Sequence, residues 1–349
     1  MVKSKLEHLL VIRLSAMGDV AMTVPVLMAL KKEYPTLHIT VLTKNLYEPI
    51  LSQIPDVKVF PVEVKGKHKG IIGIWKLYKE LQILKIDAVA DLHNVLRSNL
   101  LKQFFKLMGT PFNQLDKGRP EKKALIALKN KVFKPLKPTH ERYADVFRSL
   151  GFEFTLNKEA VLAKLNVESV LGSKLGLTNK KCIGIAPFAA FKGKMYPIEL
   201  MEQVVSLLSD LEGYQILLFG GGEKEKKQLE VWANSYDNCT NVVDKVSFSE
   251  ELTVISNLEL MISMDSGNGH LAAMYGVPVL TLWGVTHPYA GFVPFGQDIS
   301  NQILADRGRY PLIPTSVYGN KVLNGYERVM ETISPNEICQ KVKSMLKIT

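Results

Sequence analysis

Short apolar runs alternate with longer amphipathic stretches through most of the chain. In the first half, "LLVIRL", "HITVLT", "VKVFPVEV" and "DAVADLH" are typical of buried strands, and helical periodicity follows each of them. Strands that alternate with helices in this way predict a parallel sheet covered by helices on both faces. Pro25 predicts that the first helix starts close to it or bends there, because proline lacks an amide hydrogen.

The second half of the chain repeats this rhythm. The runs "CIGIAPF", "YQILLFG", "LELMISM" and "PVLTLWG" predict strands, with helical segments such as "IELMEQVVSLLSDL" between them. Ser247 is the expected N-cap of the helix "FSEELTVISN". Ser334, followed by Pro335, is expected to begin a final helix. The pattern therefore predicts two doubly wound α/β units in tandem.

Residues 1–170 are the expected first domain and residues 171–330 the second. The mixed polar stretch "AKLNVESVLGSKLGLTNKK" is the expected boundary region. Residues 331–349 are expected to form a C-terminal helix that packs back towards the first domain. The length of 349 residues also favours two cores over one.

Composition excludes several classes of protein. No apolar run approaches the length of a membrane span or of a signal-peptide core. The three cysteines are far apart and odd in number, which argues against a disulfide framework and against a cysteine metal site. The sequence therefore predicts a cytoplasmic protein with no bound metal and no cofactor.

The net charge of +10 indicates an anionic partner: nucleic acid, a phosphorylated substrate or an acidic membrane surface. The lysines concentrate in "KGKHKG" (residues 65–70) and in residues 116–138, and the plain alternative for both runs is a solvated loop. Phe133 is the only aromatic residue within these runs, which argues against a platform for stacking single-stranded bases.

Ligands of open α/β sheets bind beyond the carboxyl ends of the strands, so the loops after strands are the candidate sites. The loop "SMDSGNGHLAAMYG" has glycines that permit a sharp turn, and a helix start that favours a pyrophosphate. The alternative is that Asp265 or Ser266 merely caps the helix and that His270 is a packed helix residue. The loop matches neither the dinucleotide fingerprint nor a Walker loop, which disfavours a dehydrogenase.

Two further loops of the second half have phosphate or ribose chemistry. Lys192 and Lys194 lie in "APFAAFKGKMYP", where a lysine can neutralise a phosphate, and the surface-lysine alternative is weaker for Lys194. In "LLFGGGEKEKKQLE", the glycines at 220–222 allow close approach of a ligand, and Glu223 or Glu225 is placed to bind ribose hydroxyls. The alternative there is a tight turn before a solvated helix.

The first half offers candidates for a second substrate. Arg97 in "DLHNVLRSNLL", which also contains His93, and Arg142 in "THERYADVFRSLG" can each bind an acidic sugar or form a structural ion pair. Asp19 follows the first strand in "SAMGDV", where a carboxylate can deprotonate an attacking hydroxyl. The alternative role of Asp19 is to cap a helix.

The segments "RLSAMGDVAMTVPVL", "FKGKMYP" and "MDSGNGHLAAMYGVPVLTLWGVTHP", in this order, resemble the lipopolysaccharide heptosyltransferases of glycosyltransferase family 9. The resemblance implies a GT-B fold, in which two Rossmann-like domains face a central cleft, the first binding the acceptor and the second the nucleotide sugar. It implies inverting, metal-independent transfer of heptose from ADP-heptose to the lipopolysaccharide inner core, on Kdo-lipid A or heptosyl-Kdo-lipid A. It also implies peripheral contact with the anionic inner face of the inner membrane, and no nucleic-acid partner.

The resemblance assigns roles to individual residues. Asp19 falls on the general base and Lys194 on the phosphate-binding lysine, while Tyr196 replaces the family's tryptophan. The backbone of Val246 falls on the position that contacts adenine. The expected donor-binding residues are Lys192, Lys194, Gly221, Glu223, Glu225, Val246, Asp265, Ser266, Gly267, Asn268 and His270. The expected acceptor-binding residues are Ser15, Met17, Gly18, His93, Arg97, Arg119 and Arg142, with Arg119 in a segment that resembles an acceptor loop.

Three alternatives compete with this interpretation. Another nucleotide-sugar transferase, for example one that uses a UDP-sugar, or an epimerase would share the fold. A basic nucleic-acid-binding protein with a degenerate Rossmann core would explain the charge, and its binding to DNA would weaken with salt. A dehydrogenase is disfavoured because no GxGxxG follows the first strand of either half.

Overall fold

A computed structural model describes residues 6–177 and 180–348. Contacts between Cα atoms divide the chain into two compact units. The first unit consists of Met1–Lys117 and Thr139–Leu162, and the second of Gly118–Pro138 and Ala163–Thr349.

Between residues 6 and 162 the structure has five strands and seven α-helices, of which the sixth helix, α6, belongs to the second unit. In chain order they are β1 (His8–Ile12), α1 (Met17–Ala21), α2 (Thr23–Glu33), β2 (His38–Thr43), α3 (Glu48–Leu51), β3 (Val57–Pro61), α4 (Gly70–Gln82), β4 (Ala88–Asp91), α5 (Leu96–Leu107), β5 (Phe112–Gln114), α6 (Arg119–Leu125) and α7 (Thr139–Arg148).

The first unit is built on a five-stranded sheet in the order β3-β2-β1-β4-β5, with every neighbouring pair parallel. Its central strands β1, β2 and β4 are buried because helices cover them, as in the cluster where Leu10 and Val89 of the sheet pack with Leu77 of α4 and Leu101 of α5. The strand order reverses between β1 and β4. The loops that follow these two strands therefore diverge and leave a crevice at the carboxyl edge of the sheet.

The remaining elements belong to the second unit. They are α8 (Ser169–Leu175), β6 (Lys181–Ala186), α9 (Ile198–Ser209), β7 (Tyr214–Leu218), α10 (Gly222–Ser235), β8 (Cys239–Asn241), α11 (Phe248–Ser256), β9 (Leu260–Met264), α12 (Gly267–Ala273), β10 (Val279–Trp283), β11 (Gln302–Leu304) and α13 (Pro335–Leu346). The parallel sheet has the order β11-β10-β9-β6-β7-β8, so its crevice lies between β6 and β9.

The helix signals read from the sequence are confirmed. Pro25 is the third residue of α2, which starts at Thr23 after the chain turns at the end of α1. Ser247 accepts a hydrogen bond from the amide of Glu250 and caps α11. Ser334 does the same for Glu337 at the start of α13. These local signals are readable from sequence because a helix start is satisfied by its own neighbours.

The last helix differs from its expected position. The sequence predicts packing towards the first domain, but α13 packs on α9 within the second unit. Its apolar stripe of Ile338, Cys339 and Val342 joins the same buried cluster as Met201 and Val204 of α9. The amphipathic pattern predicts that one face of the helix is buried, and it does not say against which partner.

The domain boundaries also differ from the expected ones, since the first unit ends at residue 162 and residues 118–138 belong to the second unit. Lys131 Nζ donates to the carbonyl oxygens of Leu125 and Pro314, at 2.9 and 2.7 Å. The guanidinium of Arg307 lies 3.6 Å from the centroid of the Phe133 ring. This run is lysine-rich, yet it is anchored in the second unit because Lys122, Leu125 and Leu136 are buried, while most of its other lysines stay exposed.

Within residues 6–177 and 180–348, no helix is long and apolar enough to cross a membrane.

Candidate functional site

Asp19 lies just beyond the carboxyl end of β1, in the first turn of α1. Its Oδ2 accepts a hydrogen bond from the amide of Ala16 at 3.2 Å and forms an ion pair with Arg13. The hydroxyl of Tyr143 lies 3.5 Å from Oδ1. The carboxylate thus supports the helix start, as the capping interpretation expects. It also keeps 29% of its side chain exposed, so a substrate can reach it.

Arg13 is a candidate site residue that the sequence reasoning misses. Its guanidinium is buried, donates to the carbonyl of Leu92 at 2.6 Å and lies 5.6 Å from the ring centroid of Tyr143. These contacts fix the side chain that holds Asp19. The signal in the sequence is a lone arginine within an apolar strand run, since a buried charge requires a partner.

His93 follows β4, the strand next to β1. The carboxylate of Asp91 accepts hydrogen bonds from the amides of His93 and Asn94, at 2.9 and 3.0 Å, and so holds this turn. Burial, reinforced by the positive charge of Arg13, lowers the pKa of His93 to about 4. His93 is therefore a neutral imidazole near pH 7, able to donate or accept a hydrogen bond at the same crevice as Asp19.

The other predicted acceptor residues separate into two groups. Ser15, Met17 and Gly18 share the half-buried β1–α1 turn with Asp19, whereas Arg97 lies in the first turn of α5, with Nη2 3.5 Å from the carbonyl of Val64. The structure brings these residues to the carboxyl edge of the first sheet.

Two of the predicted arginines are placed differently. Arg142 is buried in α7, and its guanidinium lies 3.8 Å from the carboxylate of Asp116, which favours the structural ion pair. Arg119 is exposed at the start of α6 and belongs to the second unit, so it is not part of the domain in which the sequence places it. The chain passes from the first unit to the second after Lys117 and returns at Thr139, so these two arginines belong to different cores.

Lys194 and Asp265 form an ion pair across the switch point of the second sheet. The Nζ of Lys194 lies 2.8 Å from Oδ2 of Asp265 and donates to its backbone carbonyl at 3.0 Å. Only 15% of the Lys194 side chain and 4% of the Asp265 side chain are exposed. Gly319, at φ +76°, lies so close that a Cβ there would be 2.5 Å from Lys194 Cγ. The sequence names both charged residues but does not predict that they pair.

The start of α12 is not capped by a side chain, so the capping alternative is wrong. Ser266 occupies the N-cap position without a capping hydrogen bond, and Asp265 is paired with Lys194. Within the described part of the chain, the buried Ser266 hydroxyl has no hydrogen-bond partner. Gly267 and Asn268 are half-buried in the first turn, while His270 is buried, as expected of a packed helix residue.

The remaining donor candidates follow strands β6 to β8 along the same edge. Glu225 accepts a hydrogen bond from the amide of Gly221 at 2.8 Å and so secures the start of α10, whereas Glu223 is exposed. Lys192 is exposed, and Val246 is half-buried just before the N-cap of α11. The expected donor residues therefore line one continuous edge of the second sheet.

The three cysteines are free thiols. Burial raises the pKa of Cys239 to about 12 and that of Cys339 to about 11, so both stay protonated at neutral pH. Among the described residues, no group of three or more His, Cys, Asp or Glu side chains is arranged to hold a metal ion.

The model of glycosyltransferase family 9 (heptosyltransferase) matches residues 74–311. The chain belongs to glycosyltransferase family 9. It is accordingly a glycosyltransferase. It is 28% identical to lipopolysaccharide heptosyltransferase 1 of Campylobacter coli, over 96% of this chain and 98% of that protein.

Solved structures of this family share the fold. A family 9 glycosyltransferase from Veillonella parvula superposes with a TM-score of 0.72 at 20% identity, over 98% of this chain and 97% of that one. The Escherichia coli heptosyltransferase WaaC with ADP gives a TM-score of 0.68 at 20% identity, over 97% and 99% of the two chains. The predicted GT-B fold with two Rossmann-like units is confirmed.

Proposed function

We propose that this family 9 enzyme transfers heptose from ADP-heptose to the inner core of lipopolysaccharide, with inversion and without a metal ion. The observation that carries the proposal is the Lys194–Asp265 pair at the switch point of the second sheet. Beside it lies the Ser266 hydroxyl, which has no hydrogen-bond partner among residues 6–177 and 180–348. That edge offers a fixed cation, a free hydroxyl and helix amides to a diphosphate. The Campylobacter relative named as a lipopolysaccharide heptosyltransferase supports the choice of sugar and acceptor.

On the donor side, the chain supplies positive charge where the leaving diphosphate becomes more negative. The ammonium group of Lys194 has three N–H donors. Two of them reach the carboxylate and the backbone carbonyl of Asp265, which leaves one N–H for a phosphate oxygen. The amides of the first turn of α12 and the Ser266 hydroxyl add further donors. Such preorganised donors stabilise the transition state more than the ground state.

On the acceptor side, Asp19 is the proposed general base. The acceptor hydroxyl attacks the anomeric carbon from the face opposite ADP, its proton passes to Asp19, and the bond to the diphosphate breaks as ADP leaves. The amide of Ala16 and Arg13 hold Oδ2 of the carboxylate, which orients Asp19 for proton transfer. Attack from the opposite face inverts the anomeric configuration.

The acceptor is proposed to bind beside Asp19, with Ser15, Met17, Gly18 and His93 around the reacting hydroxyl. Arg97, in the same unit, is the proposed cation for an acidic sugar of the acceptor. A lipid-linked acceptor implies work at the inner face of the inner membrane, on the cytoplasmic side, with peripheral contact to its anionic surface.

The experiment that tests the proposal is incubation with ADP-heptose and defined acceptors, Kdo-lipid A and heptosyl-Kdo-lipid A. We expect a product heavier by one heptose on one of them, with the inverted linkage seen in its NMR spectrum. Stabilisation by ADP but not by UDP in a thermal-shift assay is expected alongside. Transfer from a UDP-sugar, or a retained anomeric configuration, would contradict the proposal.

Full activity is expected in excess EDTA. The proposed charge stabilisation comes from Lys194 and helix amides, so chelation removes nothing that the reaction needs. Initial rates with EDTA and with added magnesium ions should agree. A rate that falls with EDTA and recovers on adding a divalent cation would overturn the metal-independent mechanism.

Glu223, and not Glu225, is proposed to bind the ribose hydroxyls. Because Glu225 already accepts the amide of Gly221, we expect Glu225→Gln to leave ADP affinity nearly unchanged. Glu223→Gln is expected to weaken ADP binding about tenfold, the scale of one hydrogen bond to a charged group. Titration calorimetry with ADP compares the two isosteric variants, and the opposite ranking would exchange the assignments.

A further inference from the structure

The two lysine-rich runs of the chain are used differently. In residues 118–138, Lys122 is buried near the ring of Phe292, Lys131 is bonded to two carbonyl oxygens within the second unit, and the other four lysines are exposed. In residues 65–79, all the lysines are exposed: Lys65, Lys67, Lys69, Lys76 and Lys79. No acidic residue lies between positions 65 and 79. Residues 65–79 therefore present a surface with a clear excess of positive charge, although Lys67 pairs with the flanking carboxylates of Glu63 and Glu80.

The same surface carries apolar side chains that the fold leaves uncovered. The first two turns of α4 expose 67% of Ile71, 73% of Ile72 and 47% of Trp75. The opposite face of the helix, including Ile74 and Leu77, is buried in the core of the first unit. We call residues 65–79 the docking surface. Large apolar residues that stand beside lysines on one face are typical of segments that bind the membrane interface.

The docking surface is built on an ordered support. His68 is fully buried, its Nδ1 accepts the amide of Glu63 at 3.1 Å, and its Nε2 lies 3.3 Å from the Glu80 carboxylate. Gly73 lies against the backbone of His68, where a Cβ would clash. The loop and the first turns of α4 are therefore held together, and the exposed isoleucines project from a fixed frame.

The docking surface lies at the same edge of the first sheet as Asp19. Since β1, β2 and β3 are parallel, the loops that follow β1 and β3 leave from one edge. Arg97, at the start of α5, reaches the carbonyl of Val64 in the loop that precedes the docking surface. The neighbouring Leu96 is 77% exposed and extends the apolar area. A surface bound here would bring its lipids to the edge that carries the general base.

We propose that the docking surface binds the anionic phospholipid bilayer, with Ile71, Ile72 and Trp75 in the interface and the lysines on lipid phosphates. The inference rests on the proposed function in one respect: the role of the docking surface would be to bring the enzyme to a lipid-linked acceptor. Charge complementarity identifies the occupant. Lys67 pairs with the flanking acids Glu63 and Glu80, and the excess of exposed lysines that remains favours an anionic surface over a neutral apolar partner. Apolar insertion and lysine attraction are each weak and reversible, and together they give stable peripheral binding.

Trp75 provides a direct probe. Of the three tryptophans, Trp232 and Trp283 are buried, at 0% and 1% exposure, so a change in emission on binding reports Trp75. We expect the full-length protein to sediment with vesicles of phosphatidylglycerol and phosphatidylcholine, with a blue shift and with quenching by brominated lipid. Binding should weaken as salt is raised. Unshifted emission, or equal binding to pure phosphatidylcholine, would contradict the proposal.

Matched variants test the surface itself. Ile71→Ser with Ile72→Ser is expected to lower partitioning about tenfold, and Lys65→Gln with Lys69→Gln by a similar factor. The control is Leu107→Ser with Met108→Ser, which removes two equally exposed apolar side chains at the far end of α5 and should leave binding unchanged. Equal loss in the control would overturn the assignment. So would a change in oligomeric state of the isoleucine variant, which would make a second copy the occupant.

Vesicle binding requires neither donor nor acceptor sugar, so its outcome is independent of the proposed reaction. A protein that binds anionic vesicles through Trp75 but forms no product from ADP-heptose would retain this inference and lose the proposed function. A protein that forms product but does not bind vesicles would retain the proposed function and contradict this inference.

Discussion

Replacing Asp19 by asparagine is expected to lower kcat about 100- to 10,000-fold while ADP binds as before. That range is the usual contribution of a positioned general base. Asparagine retains an acceptor for Arg13 and for the amide of Ala16, so the turn is expected to survive. Asp19→Ala should abolish transfer and leave ADP binding intact. Rates under saturating donor and acceptor, with ADP affinity from calorimetry, provide the measurement.

The control for Asp19 is another arginine-paired carboxylate of the same unit. Asp145 lies 2.9 Å from Arg148 on α7, partly exposed like Asp19, and Asp145→Asn should leave kcat unchanged. A folded Asp19→Asn protein that keeps more than a tenth of the rate would refute the role as base. Loss of ADP binding in that variant would place Asp19 in donor binding.

Replacing Lys194 by methionine is expected to have two separable effects. The first is a fall in kcat of about 100- to 1,000-fold, because one preorganised donor to the leaving diphosphate is removed. The second is a loss of about 3–5 kcal/mol of unfolding free energy, because Asp265 is left buried without its cation. Steady-state kinetics and denaturant unfolding measure the two effects.

A double variant separates the two roles of Lys194. Adding Asp265→Asn removes the unpaired charge, so the double variant should recover most of the stability and none of the rate. Lys174→Met is the matched control, since Lys174 of α8 also pairs with a carboxylate of the second unit, Glu250 of α11, but both of these side chains are partly exposed. If restored stability also restored the rate, Lys194 would be structural and the proposed electrostatic role would fail.

Local sequence predicts the elements of this fold well and their assembly less well. The apolar runs that become β1 and β4 are recognisable because strands of parallel sheets are buried on both faces. The loop residues after those strands are recognisable because such loops hold ligands. The strand order that makes β1 and β4 neighbours depends on pairing between segments that are distant in the chain. The spacing of apolar residues within each segment does not specify that pairing.

The same limit applies to the sites. Lys194 and Asp265 are each plausible phosphate-site residues from their loops, but the contact between them spans 71 positions. Glu223 and Glu225 are indistinguishable in "GGGEKEK", and the geometry of the turn at Gly221 separates them. Residues 118–138 and residues 65–79 are both lysine-rich, and only packing decides that Lys122 and Lys131 of the first segment are drawn into the second unit.

The sequence by itself determined the two α/β units, the helix caps, the family and the loops in which to seek chemistry. These follow from residue type and short-range spacing, which act over a few positions of the chain. Tertiary structure alone decided that Arg13 holds Asp19, that Lys194 holds Asp265, that α13 packs on α9 and that residues 118–138 join the second unit. Each of these depends on which distant segments share a core, and that choice is made by packing over the whole unit.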